Sequence, residues 1–141
     1  MAPAQALTAA ERSFLLAIAP RIVPASAQMT PEARAAMLAL IEDTVASRAP
    51  AMRRQLHVFL AVLRWSPVLR YLRPIDRLDG GRQDAVLRWF QAHPLQVIRG
   101  GLWGVRTLVL LGVYGRPDAG PSIAYMPSTD GNAVLHARAR R

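Results

Sequence analysis

The side chains that most often carry chemistry in proteins are scarce and scattered in this sequence. There is no cysteine, and the three histidines, His57, His93 and His136, are far apart. No two of them have the i, i+4 spacing that places a pair of metal ligands on one face of a helix. Disulfides, thiolate metal sites and a cysteine nucleophile are therefore excluded.

The nine carboxylates also lack an arrangement suited to acid–base catalysis. Glu42 and Asp43 are adjacent, so on a helix they project about 100° apart and do not converge, and we expect both on a solvated face. Asp76 and Asp79 lie among arginines, which indicates ion pairing and helix capping. We expect His57 to be packed on an apolar helix. The sequence thus predicts no catalytic, metal-binding or cofactor-binding residue, and we interpret the protein as a non-enzyme.

The elements that must position these residues are helices, because no segment shows the alternation of apolar and polar residues that is typical of a strand. Three helix starts are marked by caps. Thr8 and Glu11 have the spacing of a capping box, Thr30 precedes a proline at the first turn, and Asp79 is a candidate N-cap. Pro20 and Pro24 are expected to bracket a loop after the first helix.

These caps, together with the apolar spacing, predict a series of helices over 8–19, 30–48, 51–65, 66–72, 80–92 and 94–114. The segment 51–65 is apolar on almost all sides, so we expect it to be the central helix. The chain from Arg116 onward is expected to be extended. The fold class is therefore all-α: a single-domain bundle of about five to six helices with an irregular C-terminal tail. The helical domain should span residues 1–127, with a flexible basic tail over 128–141.

The last long helix, with Gly115 as its stop, is the most informative segment. It is apolar nearly all round and contains four glycines at 100, 101, 104 and 112. Each glycine lowers helix stability by ~1 kcal/mol relative to alanine, so four of them indicate a packing reason. Two interpretations stay open: close packing inside the domain, and a groove for another protein, to which the Gly-x-x-x-Gly spacing contributes. The candidate interface residues are Arg99, Gly100, Trp103, Gly104, Tyr114 and Tyr125.

The charge is strongly basic and unevenly placed. The chain carries +9, all of its basic residues are arginines, and residues 48–106 hold eleven arginines against three acids, a net +8. Such a field attracts an acidic protein face, lipid headgroups or nucleic acid. The alternative function is therefore a small basic helical module that binds a membrane surface or nucleic acid, although no nucleic-acid-binding motif is present. A small helical enzyme with a pocket among Trp65, Trp89 and Trp103 is a third interpretation.

Neither a signal peptide nor a membrane span is predicted. The N-terminus lacks a basic region, and the apolar run from Thr107 to Tyr114 is eight residues long, whereas a span needs about 20. We expect the bacterial periplasm or the cytoplasm as the location.

Leu78–Trp89 consists of a short apolar entry and an Arg-rich helix start, and Pro94–Gly115 is a long helix with an aromatic-Gly end. A short segment, Pro121–Tyr125, follows. Together with the opening Leu7–Arg12 and Ala19–Pro24, which fit a first helix and loop, these segments resemble the gluconate 2-dehydrogenase subunit 3 family, the small subunit of bacterial flavin-dependent dehydrogenases.

The resemblance implies a helical, chaperone-like subunit with no cofactor of its own. Its partner would be a large FAD-dependent flavoprotein of the glucose–methanol–choline oxidoreductase type, with a cytochrome c subunit accepting the electrons. The small subunit would aid the folding, export or stability of that enzyme. Membrane association would arise only through the complex, and nucleic acid would not be a partner.

Overall fold

A computed structural model of the protein describes residues 5–123, with residues 121–123 described as backbone only. Within this range the fold is all-α, as the sequence predicts, and contains no strand. Its helices are α1 (Ala9–Ile22), α2 (Pro31–Ala46), α3 (Pro50–Trp65), α4 (Val68–Tyr71), α5 (Gly80–Gln91) and α6 (Gln96–Tyr114). Short 3₁₀ segments cover Pro24–Gln28, Ile75–Arg77 and Pro117–Ile123.

The three caps expected from the sequence are confirmed. The Thr8 amide donates to Glu11 Oε2 at 2.8 Å and the Glu11 amide donates to Thr8 Oγ1 at 3.2 Å, so the capping box is complete. Thr30 Oγ1 and Asp79 Oδ1 each accept a hydrogen bond from the backbone amide three residues on, at 3.2 and 2.9 Å. These side chains satisfy amides that an α-helix leaves unpaired in its first turn.

The prediction that a loop begins at Pro20 is wrong, because α1 continues through this proline to Ile22. Proline has no amide proton, so one intrahelical hydrogen bond is missing in the last turn. The Val23 amide still donates to the Ala19 carbonyl at 2.7 Å, and both side chains are buried. Burial at the end of the helix therefore outweighs the missing bond.

The central helix is α6 and not the expected α3. One side of α6 is buried at Leu102, Val105, Val109, Gly112 and Val113, and it packs most extensively on α2. In contrast, α3 buries Leu60 and Leu63 completely but leaves most of its remaining apolar residues accessible. Three arginines, Gln55 and His57 interrupt the apolar residues of α3, so this helix is amphipathic and not apolar on all sides. The expectation of a central position rested on the number of apolar residues, which does not show how they are arranged around the helix.

Side-chain pairs between helices fix α1 against its neighbours. Arg12 forms a two-bond ion pair with Glu42 of α2, and His57 Nδ1 of α3 lies 2.6 Å from Glu11 Oε1. The prediction that Glu42 is solvated is thus wrong, because its side chain is 17 % exposed and paired; Asp43 is exposed, as expected. His57 likewise is not simply packed among apolar groups but bonded to a carboxylate.

The chain after α6 is helical rather than extended as far as the structure describes it. Gly115 ends α6, as predicted, and a 3₁₀ segment follows over Pro117–Ile123. Arg116 Nη1 pairs with Asp118 at 2.6 Å, and Ala119 is buried, so local contacts hold this turn. The predicted boundary at residue 127 and the tail 128–141 lie outside the described residues.

Candidate interaction surface

One side of α6 faces away from the bundle along its whole length. We call it the outward face; it consists of Gln96, Val97, Gly100, Trp103, Gly104, Thr107, Leu110, Leu111 and Tyr114, all of which are exposed. They recur every three or four residues, so they form one continuous stripe opposite the buried side. α6 is described completely, and no charged side chain lies on this stripe.

The outward face is unusual for a surface exposed to water. It runs for about 27 Å from Gln96 to Tyr114, since a helix rises 1.5 Å per residue. Val97 is 77 % exposed and Trp103 68 %. Scattered apolar residues are normal on a protein surface, whereas large contiguous apolar patches are the kind of surface that proteins use for binding. The stripe is all the more distinctive in a chain with a net charge of +9.

The four glycines of α6 divide into two pairs with different surroundings. A Cβ added at Gly101 would lie 2.3 Å from the Phe59 ring, and one at Gly112 would lie 2.8 Å from Met37 Cγ. A Cβ added at Gly100 or Gly104 would meet nothing within 4 Å. Internal packing therefore holds for Gly101 and Gly112. Gly100 and Gly104 form an open notch on the outward face, and the groove for another protein stays a prediction.

A groove lies beside this notch, where α2, α3 and α6 meet. It encloses about 310 Å³ and is lined by Thr44, Val45, Arg48, Met52, Arg53, Leu56, Gly104, Thr107, Leu108 and Leu111. Two arginines and no carboxylate belong to this lining. The Arg53 Nε atom is shielded from solvent and has no hydrogen-bond acceptor among the described residues. The groove is thus apolar and bordered by positive charge.

The predicted interface residues fall into three groups. Gly100, Trp103, Gly104 and Tyr114 lie together on the outward face. Arg99 lies on the flank, where its Nη1 donates to the carbonyls of His93 and Pro94 at 2.6 and 3.0 Å and closes the turn before α6.

Tyr125 lies outside the described residues, so its prediction is untested. Sequence reasoning did not find the groove residues Arg48, Met52 and Arg53. Their arginines looked like part of a general basic run, and no sequence signal places the start of α3 beside the middle of α6.

Elsewhere in residues 5–123, His57 and Glu11 form a histidine–carboxylate pair. No group of three histidine or acidic side chains there has the geometry to hold a metal ion. Trp103 lines a small cavity with Gln91, Arg99, Leu102 and Arg106, which includes neither Trp65 nor Trp89. A more polar cleft of about 400 Å³ lies between α1, α5 and α6, where Arg21 pairs with Asp84 at 3.4 Å.

The sequence predicts no membrane span, but α6 is long and apolar enough to cross one by length and composition alone. Core helices of soluble proteins meet the same criterion. Its buried side packs on α2, so within the described fold it serves as a core helix with one free face.

Comparisons of the chain with protein-family models, with curated proteins and with solved structures give no match.

Proposed function

We propose that this protein is a non-catalytic accessory subunit that binds a larger protein through the outward face of α6 and the adjacent groove. The observation that carries the proposal is the uncharged, exposed stripe on the central helix of a strongly basic chain. Exposure of such a stripe to water is unfavourable by roughly 25 cal/mol per Å² of apolar area, and a bound partner would remove that cost.

The shape of the site favours a helix of the partner. Gly100 and Gly104 are one turn apart and have open space where a side chain would be. A partner helix can therefore approach the backbone of α6 closely at this notch, as small residues permit at helix–helix contacts. The groove beside it can accept apolar anchors at helical spacing, which is the helix-in-groove mode of recognition.

The charge at the groove favours a carboxylate on that partner helix. Arg48 is exposed and forms no ion pair with any described residue, and Arg53 adds a second positive charge to the lining. A partner Asp or Glu beside the apolar anchors would supply a charge-assisted hydrogen bond to Arg48. The same arginines disfavour a basic partner, including a second copy of this chain.

The resemblance to the gluconate 2-dehydrogenase subunit 3 family supplies the kind of partner. In this proposal it is a large flavoprotein dehydrogenase that carries FAD, and a cytochrome c subunit accepts the electrons. The small subunit keeps the flavoprotein folded and soluble, or aids its export, and it contributes no residue to the reaction. The compartment then follows that of the complex, in the bacterial periplasm or the cytoplasm.

Co-expression tests this role directly. The proposal expects a flavoprotein dehydrogenase gene next to the gene of this chain, and the product of that gene would be made alone and together with this chain. We expect soluble, flavin-loaded and active enzyme only when both are present, measured by the visible flavin spectrum and by dye reduction. A large subunit that is equally soluble, flavin-loaded and active without this chain would contradict the proposal.

Substitutions on the outward face locate the contact. Trp103→Glu places a charge on the stripe, and Gly104→Leu fills the notch; both should abolish co-purification of the flavoprotein. Ala35→Glu is the matched control, because it adds the same charge at an exposed position on the opposite side of α2 from the groove. Equal loss in the control, or no loss in either variant, would place the contact elsewhere.

A further inference from the structure

A second apolar feature lies at the turn after α3, far from the outward face in sequence. We call it the α4 tip, residues 68–73, and it holds two leucines with almost no neighbours. Leu69 is 96 % exposed and Leu72 is 86 % exposed, the two highest values among the large apolar side chains for which exposure is described. Nothing in residues 5–123 covers them, and the tip therefore protrudes rather than forming a groove.

The backbone at Leu72 has an unusual conformation. Its φ is 56° and its ψ is 21°, in the left-handed region that leucine rarely adopts. This conformation ends α4, whose last bond runs from the Leu72 amide to the Val68 carbonyl at 3.0 Å. Glycine or asparagine is the usual residue at such a position. A leucine there is unfavourable for the fold and gains nothing from burial, which indicates a role outside the fold.

The charges around the tip are positive and unpaired. Among the described residues no carboxylate lies within ion-pair distance of Arg70, Arg73 or Arg77. The two nearest acids in sequence are already engaged: Asp76 pairs with Arg64 and Asp79 pairs with Arg82. The three arginines are therefore available for an external anion.

The aromatic ring between the leucines is held in place by two guanidinium groups. Arg70 lies 5.6 Å and Arg82 5.2 Å from the centre of the Tyr71 ring. Both cation–π contacts keep the ring at the base of the tip and concentrate positive charge next to the two leucines. The α4 tip therefore presents two protruding leucines surrounded by arginine side chains.

We propose that the α4 tip inserts into the headgroup layer of an anionic lipid bilayer. The two leucines enter the apolar boundary of the layer, and Arg70, Arg73 and Arg77 contact lipid phosphates, as in other interfacial anchors that combine apolar and basic residues. A convex, uncovered shape fits a deformable lipid surface, whereas a protein partner would offer a matching cavity. Two copies of this chain would bring the same positive charges together. The proposal does not depend on the accessory-subunit function, since it uses different residues.

The test measures binding of the full-length protein to vesicles. One set consists of phosphatidylcholine with phosphatidylglycerol, and the other of phosphatidylcholine alone. We expect binding to the anionic vesicles at low salt, weak binding to the neutral ones, and loss of binding near 1 M salt, where the screening length is about 3 Å. Inorganic phosphate at millimolar concentration should not compete, because the leucines need a bilayer.

Variants of the α4 tip separate the contribution of the leucines to vesicle binding from that of the arginines. Leu69→Ser with Leu72→Ser should lower the vesicle partition coefficient roughly 10- to 100-fold, since two apolar insertions are lost. Arg70→Gln with Arg73→Gln should lower it about 30-fold at low salt. Val58→Ser with Val62→Ser is the matched control, because it removes two exposed aliphatic side chains of α3, outside both the α4 tip and the outward face, and should leave binding unchanged.

Leu72→Gly distinguishes lipid contact from a structural role. Glycine relieves the left-handed conformation, so the melting temperature should rise while vesicle binding falls. The proposal is overturned if the wild-type protein does not bind anionic vesicles at low salt, or if the leucine variant binds as well as the wild type. It is also overturned if the control variant loses binding equally, or if the tip variants instead abolish a dimer seen by sedimentation.

Discussion

The buried and outward faces of α6 have similar residue types but opposite surroundings. Leu102 is 3 % exposed and Trp103, the next residue, is 68 % exposed. Gly101 touches the Phe59 ring, whereas its neighbour Gly100 faces open space. Apolar character therefore does not identify the core on this helix, since the same chemistry supports folding on one side and provides a surface for a partner on the other.

The largest difference between the faces should appear when adjacent large side chains are truncated. Leu102→Ala removes a buried side chain and should lower the free energy of unfolding by about 2–5 kcal/mol. Trp103→Ala removes a larger but exposed side chain and should change it by at most about 0.5 kcal/mol. Urea titration followed by circular dichroism measures both. Similar losses in the two variants would mean that the outward face belongs to the core.

Adjacent glycines give a second comparison with a smaller effect. Gly100→Ala adds a methyl group in open space and should raise the free energy of unfolding by about 1 kcal/mol through helix propensity. Gly101→Ala gains the same propensity but presses on Phe59, and overpacking of this kind costs about 1–3 kcal/mol. The urea midpoint should therefore rise for Gly100→Ala, whereas for Gly101→Ala it should fall or stay unchanged. An equal rise in both would show that the Phe59 contact yields easily.

A cap far from α6 separates stability from binding. Thr8→Ala removes the hydroxyl that accepts from the Glu11 amide and should lower the free energy of unfolding by about 1 kcal/mol. Because the outward face is untouched, co-purification of the partner should not change. Loss of the partner in this variant would mean that binding reports on general stability rather than on the outward face.

The smallest expected effect concerns pH. A hydrogen bond with its own backbone amide, and then one with the Thr30 hydroxyl, lower the pKa of Glu32 below its usual value. A lowered pKa in the folded state means that the ionised carboxylate favours folding above the unfolded-state pKa. This contribution is lost as the pH falls through the lowered value. The melting temperature of Glu32→Gln should thus be slightly below that of the wild type at neutral pH and converge with it in acid. A constant difference at every pH would contradict this.

The caps were the part of the fold most open to prediction from sequence. Thr8, Thr30 and Asp79 act on amides three residues away, so local spacing is sufficient to identify them. Pro20 shows the limit of this approach, because its helical placement depends on the burial of Ala19 and Val23 in the tertiary structure. The all-α class was predictable because no segment of the sequence alternates apolar and polar residues as a strand does.

The interaction surface was predictable only in part. The glycines and Trp103 pointed to α6. Its solvent side carries only Gln96 and Thr107 as polar side chains, however, and these two residues are too few to distinguish this side from the buried one by sequence pattern. The groove needed the tertiary structure, because Arg53 and Gly104 are 51 positions apart in the sequence and meet through helix packing. The pairing of Glu42 with Arg12 was missed for the same reason.

Glu11 uses its two oxygens for two different tasks. Oε2 accepts from the Thr8 amide at the start of α1, and Oε1 lies against His57 in the middle of α3. Fraying of the first turn of α1 therefore also frees α3 from one of its attachments. The first turn of α1 and the middle of α3 should therefore open as a single cooperative unit, although Glu11 and His57 are 46 positions apart in the sequence. Their backbone amides should then lose protection against hydrogen exchange together.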